Sequence, residues 1–525
     1  MLMTPLRSKT DKGKISRSAT LPAPTGGWYI YDNLATMPAG TAYLLENWFP
    51  GKDFIRLRRG TTSHLTGLPY TVTVNTLMVY SNGNVQKLFA VCSDGKIYDA
   101  TSGGAVGAAV ISGLSNARMQ YTMMTTTGGQ FLIGFNGADD GVLYDGSTWS
   151  RTAITGIAET NISNVFSYNH RLYLVQKNSQ SLWYLGVDAI AGAATEVPFG
   201  GLFTLGGKIL AGATWSIDVG NGLDDVLAIV TTEGQVAVYA GTYPGDTATW
   251  ELKGVYKVGK PLGTRCLIKA GGDLAVLTQD GIVPLSKATR LDVQALNNEA
   301  ITKNIAPEYR RITAARLAAD DDWQMTSWPT ENMFIVNVPK LTDQPSYQLI
   351  ANSVTGAWSR YAGWDAACWA VFNDGLYYGT KNGRVMRAET TGTDDGAPYT
   401  GTVFFSFTDF QASVKRKSVT LARPNIQASF TPTHQLTSRK DYDYSTPIGP
   451  VASAAPSAQA RWDVARWDVD KWPSVTTTPY ATWRNVSGFG SMIAPVYQLT
   501  VNTTEEIEVR MTSIDMVYEL GEAIG

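Results

Sequence analysis

The stretch LAIVTTEGQVAVY, residues 227–239, sets two short apolar runs either side of a polar Thr-Thr-Glu-Gly-Gln segment. Runs of this length suit strands, and Glu-Gly supplies the positive φ that a tight reversal needs, so the stretch reads as a β-hairpin. The same texture recurs in LFAVCSDGKIY (88–98), FLIGFNGADDGVLY (131–144) and LYLVQKNSQSLWY (172–184). It returns in LAVLTQDGIVPL (274–285), FIVNVPKLTDQPSYQLI (334–350) and LYYGTKNGRVM (376–386). These hairpins are spaced by roughly 40 to 60 residues, close to the length of one four-stranded propeller blade. A large β-sandwich also has turn-separated strands, but it explains the regular interval less well.

The expected fold is therefore all-β: a β-propeller of six to eight blades, with seven fitting best, plus a C-terminal β-sandwich-like platform domain. One short helical insertion interrupts the ring, at VQALNNEAITKNIAPEYRRITAARLA (293–318), where Pro307 starts a second short helix. The expected domains are a basic arm (1–20), an N-terminal segment packing on the platform (21–70), the propeller (71–398) and the C-terminal β domain (399–525).

The chain of 525 residues holds 51 glycines and 11% aromatics, with charged residues at only 17%, which suits many turns and packed strands. Its 43 basic and 45 acidic residues leave a net charge of -2, unlike a general polyanion binder. That balance leaves open a neutral or acidic surface past which nucleic acid slides without sticking. Cys92, Cys266 and Cys368 lie far apart, so neither a disulfide framework nor zinc spacing is expected. There is no apolar run long enough for a membrane span and no apolar core of a secretion signal near the start. Arg7, Lys9, Lys12, Lys14 and Arg17 make the N-terminal arm basic, and we expect it to lie on a partner or a neighbouring subunit.

Catalytic chemistry is sparse. His64, His170 and His434 are scattered, with no local pair to suggest a metal site or a hydrolase. GVYKVGK (254–260) has the spacing of a phosphate-binding loop, but Pro261 replaces the magnesium-binding hydroxyl and VYKV reads as strand. The acidic pairs Asp139-Asp140, Asp394-Asp395 and Asp441/Asp443, and the run Asp320 to Asp322, lack calcium-loop spacing. YDGSTW (144–149) only distorts a sialidase turn motif. No enzyme, metal or cofactor is expected; a propeller enzyme acting on glycans is the weaker alternative.

RWDVARWDVDKW (461–472) spaces Trp462, Trp467 and Trp472 five residues apart. That step scatters the rings around a helix and alternates them across a strand, so neither makes a continuous stacking platform. Wedges under neighbouring strands fit better, with partner docking as the functional option.

Taken together, LPAPTGGWYIYDNLATMPAGTAYLLENWFPGKDFIRLRRG (21–60), GKPLGTRC (259–266), GGDLAVLTQDGIVPLS (271–286), NSVTGAWSRYAGWDAACW (352–369), the tryptophan repeat and VYELGEAIG (517–525) resemble the tail nozzle proteins of short-tailed bacteriophages. This family is also called tail hub, tail tubular B-like or tail accessory/stabilisation proteins. The resemblance implies a homohexameric virion ring below the portal and adaptor rings, assembled in the host cytoplasm. Each subunit would carry a propeller and a platform domain. The ring would continue the channel for double-stranded DNA, close it until infection, and offer docking surfaces for fibres, spikes or a needle. A receptor-binding or fibre-docking tail protein is the alternative within the same virion setting.

Overall fold

The computed structural model describes residues 16–31, 33–218, 223–246, 248–317, 323–342, 344, 346–446 and 477–523. Within them the chain builds a seven-bladed β-propeller fused to a two-sheet β-sandwich. The blades span 74–111, 120–151, 162–198, 209–257, 267–284, 324–362 and 366–387, each an antiparallel meander. Neighbouring blades touch in sequence, mostly through their innermost strands (the first blade's inner strand meets Gly129–Phe135 of the second), and Ala366–Phe372 of the seventh returns to Val74–Ser81 of the first, closing the circle. Each of the seven hairpins legible in the sequence forms the second and third strands of one blade. In the fourth blade Gly234 turns the hairpin at φ +78, and a side chain there would meet the Val258 carbonyl at 2.5 Å.

The ring is sealed by a strand from outside its expected span. Thr62–Thr66 pairs antiparallel with Val385–Arg387, setting Leu65 opposite Val385 and giving the seventh blade its fourth strand. Residues 62–66 thus correct the 21–70 grouping with the platform: they join the seventh blade, whose other strands lie about 300 residues further along the chain. The fifth blade has three strands, and the helices Leu285–Ala288, Val293–Glu299 and Ala306–Ala314 follow its last one. Pro307 lies in the first turn of Ala306–Ala314, whose Tyr309 and Ile312 bury against the blade. The insertion also ties the ring to the N-terminal segment, since Ile30 N donates to Asn304 O at 2.9 Å and Trp358 Nε1 to Ile301 O at 2.9 Å.

The sixth blade does not end at its outer strand. Trp358–Ala362 runs beside Ala42–Glu46 through the parallel bridge Glu46↔Arg360. The sheet continues through Tyr399–Phe405, Ile493–Val501 and His434–Lys440 to eight strands. A seven-stranded sheet, centred on the long pair Lys415–Ala428 and Val509–Ala523, packs over the platform part of it. Ile493–Val501 is buried at every residue because both its faces are covered. Tyr497, Leu499 and Val501 face the second sheet's core, while Ala494 and Val496 meet Phe404 and Phe407. One apolar cluster runs from the fifth and sixth blades into the sandwich, so ring and platform share a core.

Candidate functional site at the joint between ring and platform

The joint is built on IRLRRG (55–60). Ile55 and Leu57 point into the shared core, at 0% and 1% exposure. Arg56, on the opposite parity, lies over Phe49 and pairs with Glu331 at 2.9 Å. The alternation then breaks, because Arg58 is fully buried. Its guanidinium spends all five donors: Nε on Asn47 Oδ1 (2.8 Å), one terminal nitrogen on Arg59 O and Asp394 Oδ1, the other on Ala362 O and Asp394 Oδ2. The plane rests on Tyr399, 4.1 Å from the ring centre, and on Trp364 at 5.0 Å. Burial works against the charge, but Asp394 outweighs it and keeps the guanidinium protonated above its ordinary range.

Arg59 reaches the platform instead, binding Ile507 O, Glu508 and Glu506. Its backbone N–H donates to Glu389, whose carboxyl is pushed up by burial and held partly down by Arg56. Gly60 follows because nothing larger fits: a Cβ would sit 1.9 Å from the Thr393 carbonyl. Thr61 N then donates to Thr393 O, and Asn47 Nδ2 to Thr400 O. The sixth blade, the link 388–398 leaving the seventh, and the platform thus meet on one arginine. With every donor used, Arg58 has nothing left for a ligand; the arrangement is a lock.

A second arginine closes the propeller axis. Arg265 bonds Asn75 O, Thr76 Oγ1, Met119 O and Gln324 Oε1, drawing the first, second and sixth blades together. The cavity on the axis, lined by Gln120, Thr264 and Gln324 among others, measures about 290 Å³.

Of the residues expected to dock partners, Arg17 lies exposed in the strand Ser16–Pro22, opposite Tyr518. That strand crosses the expected arm boundary at residue 20, pairing with Val509–Ala523 over seven residues. Arg7, Lys9, Lys12, Lys14, Trp462, Trp467 and Trp472 lie outside the described residues. GVYKVGK falls on the outer strand of the fourth blade and the turn after it, and Asp145 of YDGSTW holds a hairpin turn through Ser147 and Thr148. Asp139 ties Ser115 to Asn136 between blades. Among the described residues no His, Cys, Asp or Glu group is arranged to hold a metal. Arg58 and Arg265 went unnoticed in the sequence: Arg58 keeps the apolar–polar alternation of Ile55, Arg56 and Leu57, so no local signal marks it as buried.

No protein-family model matches the chain, and no curated protein matches it. Among solved structures the chain is similar to BBS1N in complex with ARL6DN, at 10% identity and TM-score 0.39, over 63% of this chain and 97% of that one. It is also similar to the β-propeller domain of Myceliophteria thermophila Cps50 (Swd1), at 14% identity and TM-score 0.38, over 64% of this chain and 100% of that one. The WD40 β-propeller domain of Doa1 matches at 8% identity and TM-score 0.38, over 63% of this chain and 97% of that one. The propeller itself follows from the sheet connectivity of this chain.

Proposed function

We propose that the chain is a structural virion protein, a subunit of the nozzle ring of a short bacteriophage tail. In this reading the ring extends the DNA channel below the portal and adaptor and holds the genome in until infection. The observation that carries it is the joint: propeller and platform share a sheet, a core and a saturated buried arginine, as suits a part that keeps its shape under internal pressure. The family resemblance of the sequence supplies the setting.

Arg265, bonded to the first, second and sixth blades, crosses the middle of the propeller beside a cavity of only about 290 Å³, which leaves no bore for a double helix there. DNA instead passes between copies, six by the resemblance, packed head to tail around a closed axis. Channel loops of mixed charge avoid the tight phosphate binding that would stall ejection. The basic arm would meet the adaptor ring or an adjacent subunit, and the tryptophan repeat would brace the platform or dock fibres, spikes or a needle. Electron microscopy of the purified chain, alone and mixed with tail-less heads, tests this. Six-fold rings with a central hole are expected, and a chain that stays monomeric in both overturns it.

A further inference from the structure

We propose that the outer edge of the fourth blade is a docking strand for an extended acidic peptide, which would add to the blade as a fifth strand. The blades differ in how their edges end. The first and second finish in outer strands of three residues, and the third ends in Pro198. The fifth is followed by helices, the sixth runs on into the platform, and the seventh pairs with Gly104–Ala105. Glu251–Lys257 of the fourth blade is seven residues long, and among the described residues no strand pairs with its outer side. A bulge interrupts its inner pairing at Val238/Tyr239, but Gly254–Lys257 pairs regularly with Gln235–Val238. The regular half therefore presents alternate N–H and C=O groups outward, the template that strand addition uses.

A groove of about 680 Å³ lies against that half, between Val255, Tyr256 and Lys257 on one side and residues 288–292 with Ala295 on the other. It exists because helices, not a fourth strand, follow the fifth blade. The charges beside it select the partner. Lys253, Lys260 and Lys287 nearby are paired with Glu251, Glu233 and Glu299. Lys257 and Arg290, which line the groove, are exposed and have no ion-pair partner among the described residues. They outnumber Asp292, the carboxylate in the lining, while Leu291 is a half-exposed apolar contact. An extended segment alternating acidic and apolar residues satisfies backbone, charge and apolar surface at once.

The full chain is titrated into labelled acetyl-Glu-Val-Glu-Val-Glu-Val-amide, its lysine counterpart, and the acidic peptide N-methylated at every residue, so that neither edge can donate, with fluorescence anisotropy as the readout. We expect saturable binding of the acidic peptide, weaker by about tenfold for the lysine peptide, and abolished by N-methylation. Lys257→Glu with Arg290→Glu, both exposed, should leave melting unchanged and reverse the preference. Equal affinity for both peptides, indifference to N-methylation, or no saturation at millimolar peptide overturns the proposal. Self-association without peptide, abolished by the same substitutions, would assign the edge to a second copy and also overturn it.

Discussion

Arg58 is the residue whose loss should be felt furthest. Arg58→Met leaves the partly buried Asp394 without its ion-pair partner and takes one donor from Asn47 Oδ1, which keeps the Ala362 N–H, a loss of about 3 kcal/mol. Arg58→Lys should recover little of that, because a point charge cannot replace a two-pronged fork lying flat on Tyr399. Denaturant unfolding of both variants measures this, and a lysine variant close to the native chain would contradict it. His434 gives the pH dependence. Its pKa is lowered by burial and by Arg484, so the folded state resists its protonation. Its contribution is complete above the unfolded pKa, about 6.5, and is lost as pH falls through that value towards the folded one. Stability should therefore drop below about pH 6.5, and His434→Asn should flatten that part of the curve. Neither residue stood out in the sequence. In IRLRRG an arginine after Leu57 reads as another solvent-facing position, and only contacts with Ala362 and Asp394, some 300 residues away, bury it.

At the scale of elements, the legible and the hidden divide by sequence distance. The seven hairpins were readable because strand alternation and turn residues are local, as with Gly234. The helix Ala306–Ala314, with Pro307 in its first turn, was readable for the same reason. The closing strand was not, since nothing within Thr62–Thr66 points to Val385–Arg387. A chain beginning at residue 71 keeps every visible hairpin yet loses that strand. It should lose cooperative thermal unfolding, measured by circular dichroism; a sharp native-like transition would show the ring closing without it. Tyr309→Phe asks how firmly the helical insertion holds the fifth blade. It removes the 2.6 Å bond to Thr278 O and strands a buried carbonyl, costing about 1–3 kcal/mol in the same measurement.

For the whole molecule, the continuous eight-stranded sheet and the shared core make ring and platform one mechanical body. Calorimetry should show a single transition, and Arg58→Met should lower it without splitting it; separate ring and platform transitions would refute the shared core. The sequence suggested a propeller ending at residue 398 and a separate C-terminal β domain from 399. Their fusion through Glu46↔Arg360 is a tertiary event with no local signature.

The borrowed strand also sets a clock. Leu65 is made early and meets Val385 only about 320 residues later. At ribosomal speeds that is a wait of roughly 15 to 60 s. The platform waits longer still, since Ser16–Pro22 pairs with the last strand of the chain. Ser16–Pro22 and Thr62–Thr66 are therefore unfinished edges while the residues they pair with are being made, open to neighbouring nascent chains on the same message. Slower translation or a higher temperature during expression should lower yield through aggregation during birth, even for a chain whose finished form is stable.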